Sequence, residues 1–228
     1  GGGGPPPRAA LLTLDGTSGG FAGPCRADAD AMSQVAGLFN RLSQELPEKH
    51  GIAVLQLSFA NPGGDNSGRL PECVADAVAA VDWLEAEVPG ARIALLGHSM
   101  GGAVALGAAA ARPSHVRGLC LLGSQTAGAP APYKLLQLRD CSVCVVHGEA
   151  DRNVPPRCAE VLCRRLHAPW VREGLQPEER PLGSMGGMAM SRVGRVLRVR
   201  LAGTGHAMDE EASAVRAVVA RWAAGVAE

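Results

Sequence analysis

The chain has 228 residues, 46% hydrophobic and only 3% aromatic, enough for one domain with a core of Ala, Val and Leu. Its 22 basic and 22 acidic side chains cancel, which excludes a net field for nucleic acid or an anionic membrane surface. No apolar run approaches the ~20 residues that span a bilayer, so a soluble protein is expected.

Residues 1–8 begin with four glycines and three prolines, which bury nothing. A disordered leader is predicted there, with one domain over 9–228. From residue 9, short apolar runs alternate with helical patterns, as in a parallel sheet covered by helices on both faces. The prediction runs strand 9–14, helix 28–46, strand 52–57, helix 71–88, strand 92–96 and helix 99–111. Strand 116–122, strand 142–147, helix 155–166, strand 196–201 and helix 210–224 follow. These six strands are almost continuously apolar, as strands buried on both faces are. In helix 71–88, Val74, Val78, Val81 and Trp83–Leu84 recur at helical spacing and are expected to give a core-facing stripe. Pro47, Pro89 and Pro113 read as helix stops.

Two stretches break this rhythm. Residues 123–140 are rich in Gly, Ala and Pro, and residues 168–194 carry Pro169, Pro177 and Pro181 before a Gly- and Met-rich run. The second is expected to be a solvated loop rather than a methionine-lined pocket.

Seven cysteines, an odd number scattered through predicted strands and helices, suit a reducing compartment better than a disulfide framework. An intracellular, cytoplasmic protein is expected. An organelle stays open, because the chain does not begin with Met and an upstream targeting peptide could have been removed. Cys141 and Cys144 form a C-x-x-C within a buried strand pattern, and no second Cys/His pair stands at metal spacing. They are read as structural thiols, and no metal or organic cofactor is predicted.

The strongest chemical signal is Gly97-His98-Ser99-Met100-Gly101-Gly102, a G-x-S-x-G between a predicted strand and a predicted helix. So sharp a strand-to-helix turn strains the serine backbone and lifts its hydroxyl clear of the sheet. The glycines keep side chains out of the tight turn, and the helix N-terminus favours developing negative charge.

A serine hydroxyl needs a general base within reach. Of six histidines, His50, His115 and His167 sit at helix ends or beside loops. His98 is expected to point away from where a base must stand, as a packing or supporting residue, and His147 ends a strand. His206, in Gly203-Thr204-Gly205-His206 after the last predicted strand, is the choice for base. The base needs an acid to hold its tautomer. Asp151, in the turn after strand 142–147, is chosen over its neighbour Glu149 and over a simple role as helix cap.

The chain order Ser99, Asp151, His206 on successive strand ends resembles the α/β-hydrolase superfamily. Three motifs carry the likeness: G-H-S-M-G-G at 97–102, H-G-x-x-D-x-x-V-P at 147–155 and G-x-G-H at 203–206. The likeness covers about residues 9–226. It implies a single α/β domain and an oxyanion hole formed by the backbone N–H groups of Met100 and Thr17, with Gly16 or Ser18 as alternatives to Thr17. Family members often carry His-Gly after the first strand, where this chain has Asp15-Gly16. The segment 123–140 is too short for a cap domain, so an open site walled by 123–140 and 168–194 is expected. Such a site resembles small lidless esterases, acyl-protein thioesterases and dienelactone-hydrolase-like enzymes. The implied activity is hydrolysis of a small ester or thioester, or of an acylated peptide or protein. A serine peptidase or acyltransferase on the same triad is the alternative, and a non-catalytic binding module is the alternative of another class. Nothing in the sequence reads out an oligomeric state.

Overall fold

The computed structural model describes residues 6–26, 37–138, 140–171, 179–185, 187–193 and 196–228. The strands are β1 (Ala9–Leu14), β2 (Ile52–Leu57), β3 (Arg92–His98), β4 (Val116–Leu122), β5 (Ser142–Gly148), β6 (Glu179–Met185), β7 (Met188–Val193) and β8 (Val196–Leu201). The helices are α1 (Leu38–His50), α2 (Leu70–Glu87), α3 (Met100–Ala111), α4 (Arg157–Val171) and α5 (Ala212–Ala227).

All eight strands form one sheet in the order β2-β1-β3-β4-β5-β8-β7-β6. The first six of that order pair in parallel, and β7 and β6 add antiparallel at the edge. Strand β1 shows why the runs are continuously apolar. Alternate side chains face opposite sides of a sheet, so Ala10, Leu12 and Leu14 pack under α2 and α3 while Ala9 and Leu11 pack under α1 and α5. Helix α4 joins the α2–α3 face through Ala159, Leu162 and Leu166. The result is a three-layer α/β domain.

The sheet has eight strands where six were expected. The extra pair lies in the stretch read as a loop, and its composition explains the misreading. Pro181 and Gly183 would break a central strand, but β6 is an edge strand, where a missing backbone donor costs no ladder bond. The register shifts between these two residues, and Gly183 takes φ +116. The segment is a bulged hairpin rather than a solvated loop, with residues 172–178 outside those described.

Pro47 does not stop the first helix. Helix α1 runs through it to His50 and ends at Gly51 in the left-handed region, whose N–H bonds back to the Leu46 and Pro47 carbonyls. Pro47 is exposed in the last turn, close to the end of the helix ladder. Pro89 and Pro113 do follow helix ends. Most of the predicted helix 28–46 before Leu38, and residues 1–5 of the predicted leader, lie outside the described residues.

The order reverses at β1: β2 lies on one side of it and β3 on the other. In open α/β sheets, ligands bind outside the carboxyl ends of the strands at such a switch point. Residues following β1 and β3 therefore flank the natural crevice.

Candidate active site

Strand β3 runs two residues further than predicted, through Gly97 and His98, and α3 starts at Met100. Ser99 alone makes the turn, with φ 56 and ψ −120, the left-handed side of backbone space that non-glycine residues avoid. Its N–H donates to the Leu122 carbonyl of β4 at 2.9 Å, which pins the strained residue to the sheet. The turn is so tight that a Cβ on Gly97 would collide with the Gly101 carbonyl, and one on Gly101 with the carbonyls of Leu14 and Asp15. Both glycines are thus required by backbone approach. The half-buried Ser99 sits at the N-terminus of α3, where Met100 begins the N–H groups that a helix leaves without internal partners.

Asp151 lies in the turn after β5, with its side chain fully buried. Its Oδ1 accepts the N–H groups of Asn153 at 2.9 Å and Val154 at 2.8 Å. Its Oδ2 faces His206 Nδ1 at 2.7 Å. Asp151 is not a helix cap, since α4 begins only at Arg157; one oxygen closes the turn after β5 and the other meets the imidazole. Glu149 is exposed and lies 3.9 Å from Arg200, away from this pair.

With Nδ1–H donated to a carboxylate, the neutral His206 ring carries its lone pair on Nε2. His206 follows β8, and its side chain is 17% exposed, open enough to meet a ligand. Gly123, after β4, borders the pair: a methyl group there would stand 3.4 Å from both Asp151 Oδ2 and His206 Nδ1.

The loop after β1 faces the serine. A methyl on Gly16 would stand 3.4 Å from Ser99 Cβ and 3.8 Å from its Oγ. The Gly16 N–H is committed to Asp15 Oδ1 at 2.8 Å. The Thr17–Ser18 peptide is fixed from behind: the Thr17 carbonyl accepts both the backbone N–H of Asn66 at 2.9 Å and its Nδ2 at 2.8 Å. Asn66 is buried and comes from the loop after β2, to which the sequence assigned no role. Nothing in that polar, Gly-rich stretch distinguishes Asn66 from a solvated turn residue.

His98 departs from expectation. Its ring does not point away from the base; it lies 4.8 Å from the His206 ring, centroid to centroid, at 36°. Its Nε2 is 3.1 Å from the His206 carbonyl oxygen, and its Nδ1 is 3.5 Å from Asp15 Oδ1. Burial opposes ionisation of Asp15, but His98, the Gly16 N–H and Arg26 outweigh it and hold its pKa below the ordinary value. Burial also pushes the pKa of His147 down, only partly offset by its bond to the Val154 carbonyl at 2.9 Å and by Asp151.

Six of the seven cysteines are buried and Cys158 is partly exposed, and none forms a disulfide. Burial raises the Cys141 thiol to about 12, which makes it unreactive at neutral pH. A cavity of about 610 Å³ lies between β7, β8 and α5, lined by Met188, Met190, Leu197 and Trp222 among others. Two methionines of the 168–194 stretch thus do line an apolar space, but Ser99, Asp151 and His206 are not part of it. Among the described residues no helix is long and apolar enough to cross a membrane.

A sequence profile described as the alpha/beta hydrolase fold matches residues 36–163, which include Ser99 and Asp151. The chain belongs to the α/β-hydrolase fold family. Among solved structures, this α/β hydrolase is similar to Est1E from Butyrivibrio proteoclasticus, seen with ferulic acid bound. The TM-score is 0.64 at 15% identity, covering 97% of this chain and 90% of that one. It is also similar to a dienelactone hydrolase from Anabaena variabilis, with TM-score 0.62, 19% identity, and coverage of 95% and 85%. A serine hydrolase without a lid from Xanthomonas campestris matches with TM-score 0.57 and 17% identity, over 97% and 84%. A stretch of 49 residues is 47% identical to human monoglyceride lipase, covering 22% of this chain and 16% of that protein.

Proposed function

We propose that this α/β hydrolase cleaves a carboxylic ester or thioester through an acyl-enzyme on Ser99. The observation that carries this reading is the 2.7 Å contact between Asp151 Oδ2 and His206 Nδ1, at the sheet edge where the strained Ser99 turn ends β3. In this reading His206 Nε2 takes the Ser99 proton as Oγ attacks the carbonyl carbon, and Asp151 stabilises the imidazolium. The N–H groups of Met100 and Thr17 receive the oxyanion; the Gly16 N–H, already held by Asp15, is not free to do so. His206 then protonates the leaving group, and water repeats the sequence in reverse to free the acid.

An ester substrate is supported by the names of the relatives: a monoglyceride lipase, a dienelactone hydrolase and an acetyl xylan esterase from Aspergillus awamori. The test is hydrolysis of p-nitrophenyl esters of increasing chain length beside acyl thioesters. Turnover by the wild type that Ser99→Ala abolishes supports the reading. Equal turnover by both proteins rejects Ser99 as nucleophile, and turnover by neither rejects the reading for these substrates.

A further inference from the structure

Two buried titratable side chains beside the site are not used in the reaction above. Asp15 follows the last residue of β1, 3% exposed, and His98 is the last residue of β3, 8% exposed. Burying a carboxylate is costly unless its oxygens are satisfied, and here each oxygen has partners. Oδ1 accepts the Gly16 N–H at 2.8 Å and faces His98 Nδ1 at 3.5 Å. Oδ2 accepts the Gly23 N–H at 3.3 Å and an Arg26 guanidinium hydrogen at 3.2 Å. On its far side, the His98 ring meets the main-chain oxygen of His206 at 3.1 Å. A carbonyl only accepts, so Nε2 of His98 carries the hydrogen and donates it.

His206 is thereby held at two points on different sides. Asp151 holds the side chain at Nδ1, and His98 holds the main chain at the carbonyl. A single hydrogen bond at Nδ1 leaves the ring free to pivot about that contact, and the pivot sweeps Nε2 through an arc. The second hold removes that freedom. It also ties the His206 segment to the residue adjoining Ser99.

We propose that His98, seated against Asp15, is a positioning residue that fixes His206 by hydrogen bonding to its main-chain carbonyl. The proposal rests on Ser99 and His206 being nucleophile and base. A misplacement of about 1 Å at a reacting group costs on the order of 10²-fold in rate, so the effect belongs in kcat rather than in KM.

Two substitutions separate this role from simple filling of space. The amide nitrogen of Gln reaches roughly where Nε2 of a histidine stands, whereas that of Asn stops near Nδ1. His98→Gln keeps the donor to the His206 carbonyl, and His98→Asn loses it. Each variant is measured for kcat and KM on an ester that the wild type hydrolyses, normalised to active sites counted by fluorophosphonate labelling, with Tm recorded. Expected are a fall in kcat on the order of 10²-fold for His98→Asn with KM unchanged, and recovery to within about tenfold of wild type for His98→Gln. Equal kcat in the two variants, or a change confined to KM, overturns the proposal. Should His98→Asn not fold, His98→Gln alone decides: kcat within about tenfold of wild type supports the proposal, and a fall on the order of 10²-fold with KM unchanged overturns it. A wild type that neither hydrolyses esters nor takes the label instead rejects the triad reading, and this inference with it.

Discussion

Nε2 of His147 lies 3.4 Å from the same Asp151 oxygen that His206 Nδ1 reaches at 2.7 Å. Two imidazoles therefore face one carboxylate oxygen, and burial decides between them. His147 is fully inside, so its ring stays neutral and spends its Nε2–H chiefly on the Val154 carbonyl, leaving Oδ2 to His206.

That arrangement makes stability fall on acidification. The folded-state pKa of His147 lies below its ordinary 6.5, so the unfolded chain takes up this proton first. Its destabilising effect is absent above 6.5, grows as pH falls from there towards the folded value, and then levels off. Asp15 acts lower down: its contribution is present above 3.8 and is lost as pH falls through its depressed folded value. Urea unfolding between pH 8 and pH 4 checks this. His147→Gln is expected to flatten the loss that begins near 6.5; an unchanged profile would remove His147 as its source.

Asp151→Asn is expected to cut kcat roughly ten-thousand-fold, because an amide cannot enforce the same tautomer of His206 or stabilise its charged form. Glu149→Gln is expected to leave turnover unchanged, since Glu149 faces solvent and Arg200. Steady-state kinetics of the two variants decide between them. The reverse ranking would transfer the acid to Glu149.

Asn66→Ala removes the side-chain donor from the Thr17 carbonyl, leaving only the backbone N–H of residue 66, and loosens the Thr17–Ser18 peptide beside the Thr17 N–H. If the Thr17 N–H receives the oxyanion, kcat is expected to fall on the order of 10²-fold while ground-state binding is little affected. A variant with wild-type kcat would take Thr17 out of the oxyanion hole.

Gly97→Ala places a methyl group against the backbone of Gly101, and neither partner is a flexible side chain that can move aside. The expected cost is about 3 kcal/mol or more, read as a lowered urea midpoint. Wild-type stability would show that the turn is looser than described.

The sequence carried much of this because apolar periodicity and turn residues are local signals. Continuous apolar runs marked all six parallel strands, and the G-x-S-x-G between a strand and a helix marked the Ser99 turn. The β6–β7 hairpin escaped notice because Pro181 and Gly183 look like breakers, and only their place at the sheet edge makes them tolerable. Asn66, and the contact that His98 makes, were missed for another reason. What each does depends on a backbone oxygen far along the chain, that of Thr17 or of His206, and a carbonyl acceptor leaves no mark on residue type.

The central claim is that Ser99 Oγ is an activated nucleophile, and covalent trapping tests it most directly. Incubation with a fluorophosphonate, followed by mass analysis of intact protein and peptides, is expected to find one adduct per chain on Ser99. His206→Ala should slow its formation by several orders of magnitude. An adduct at another residue, or no adduct on a folded wild-type chain, would contradict the account.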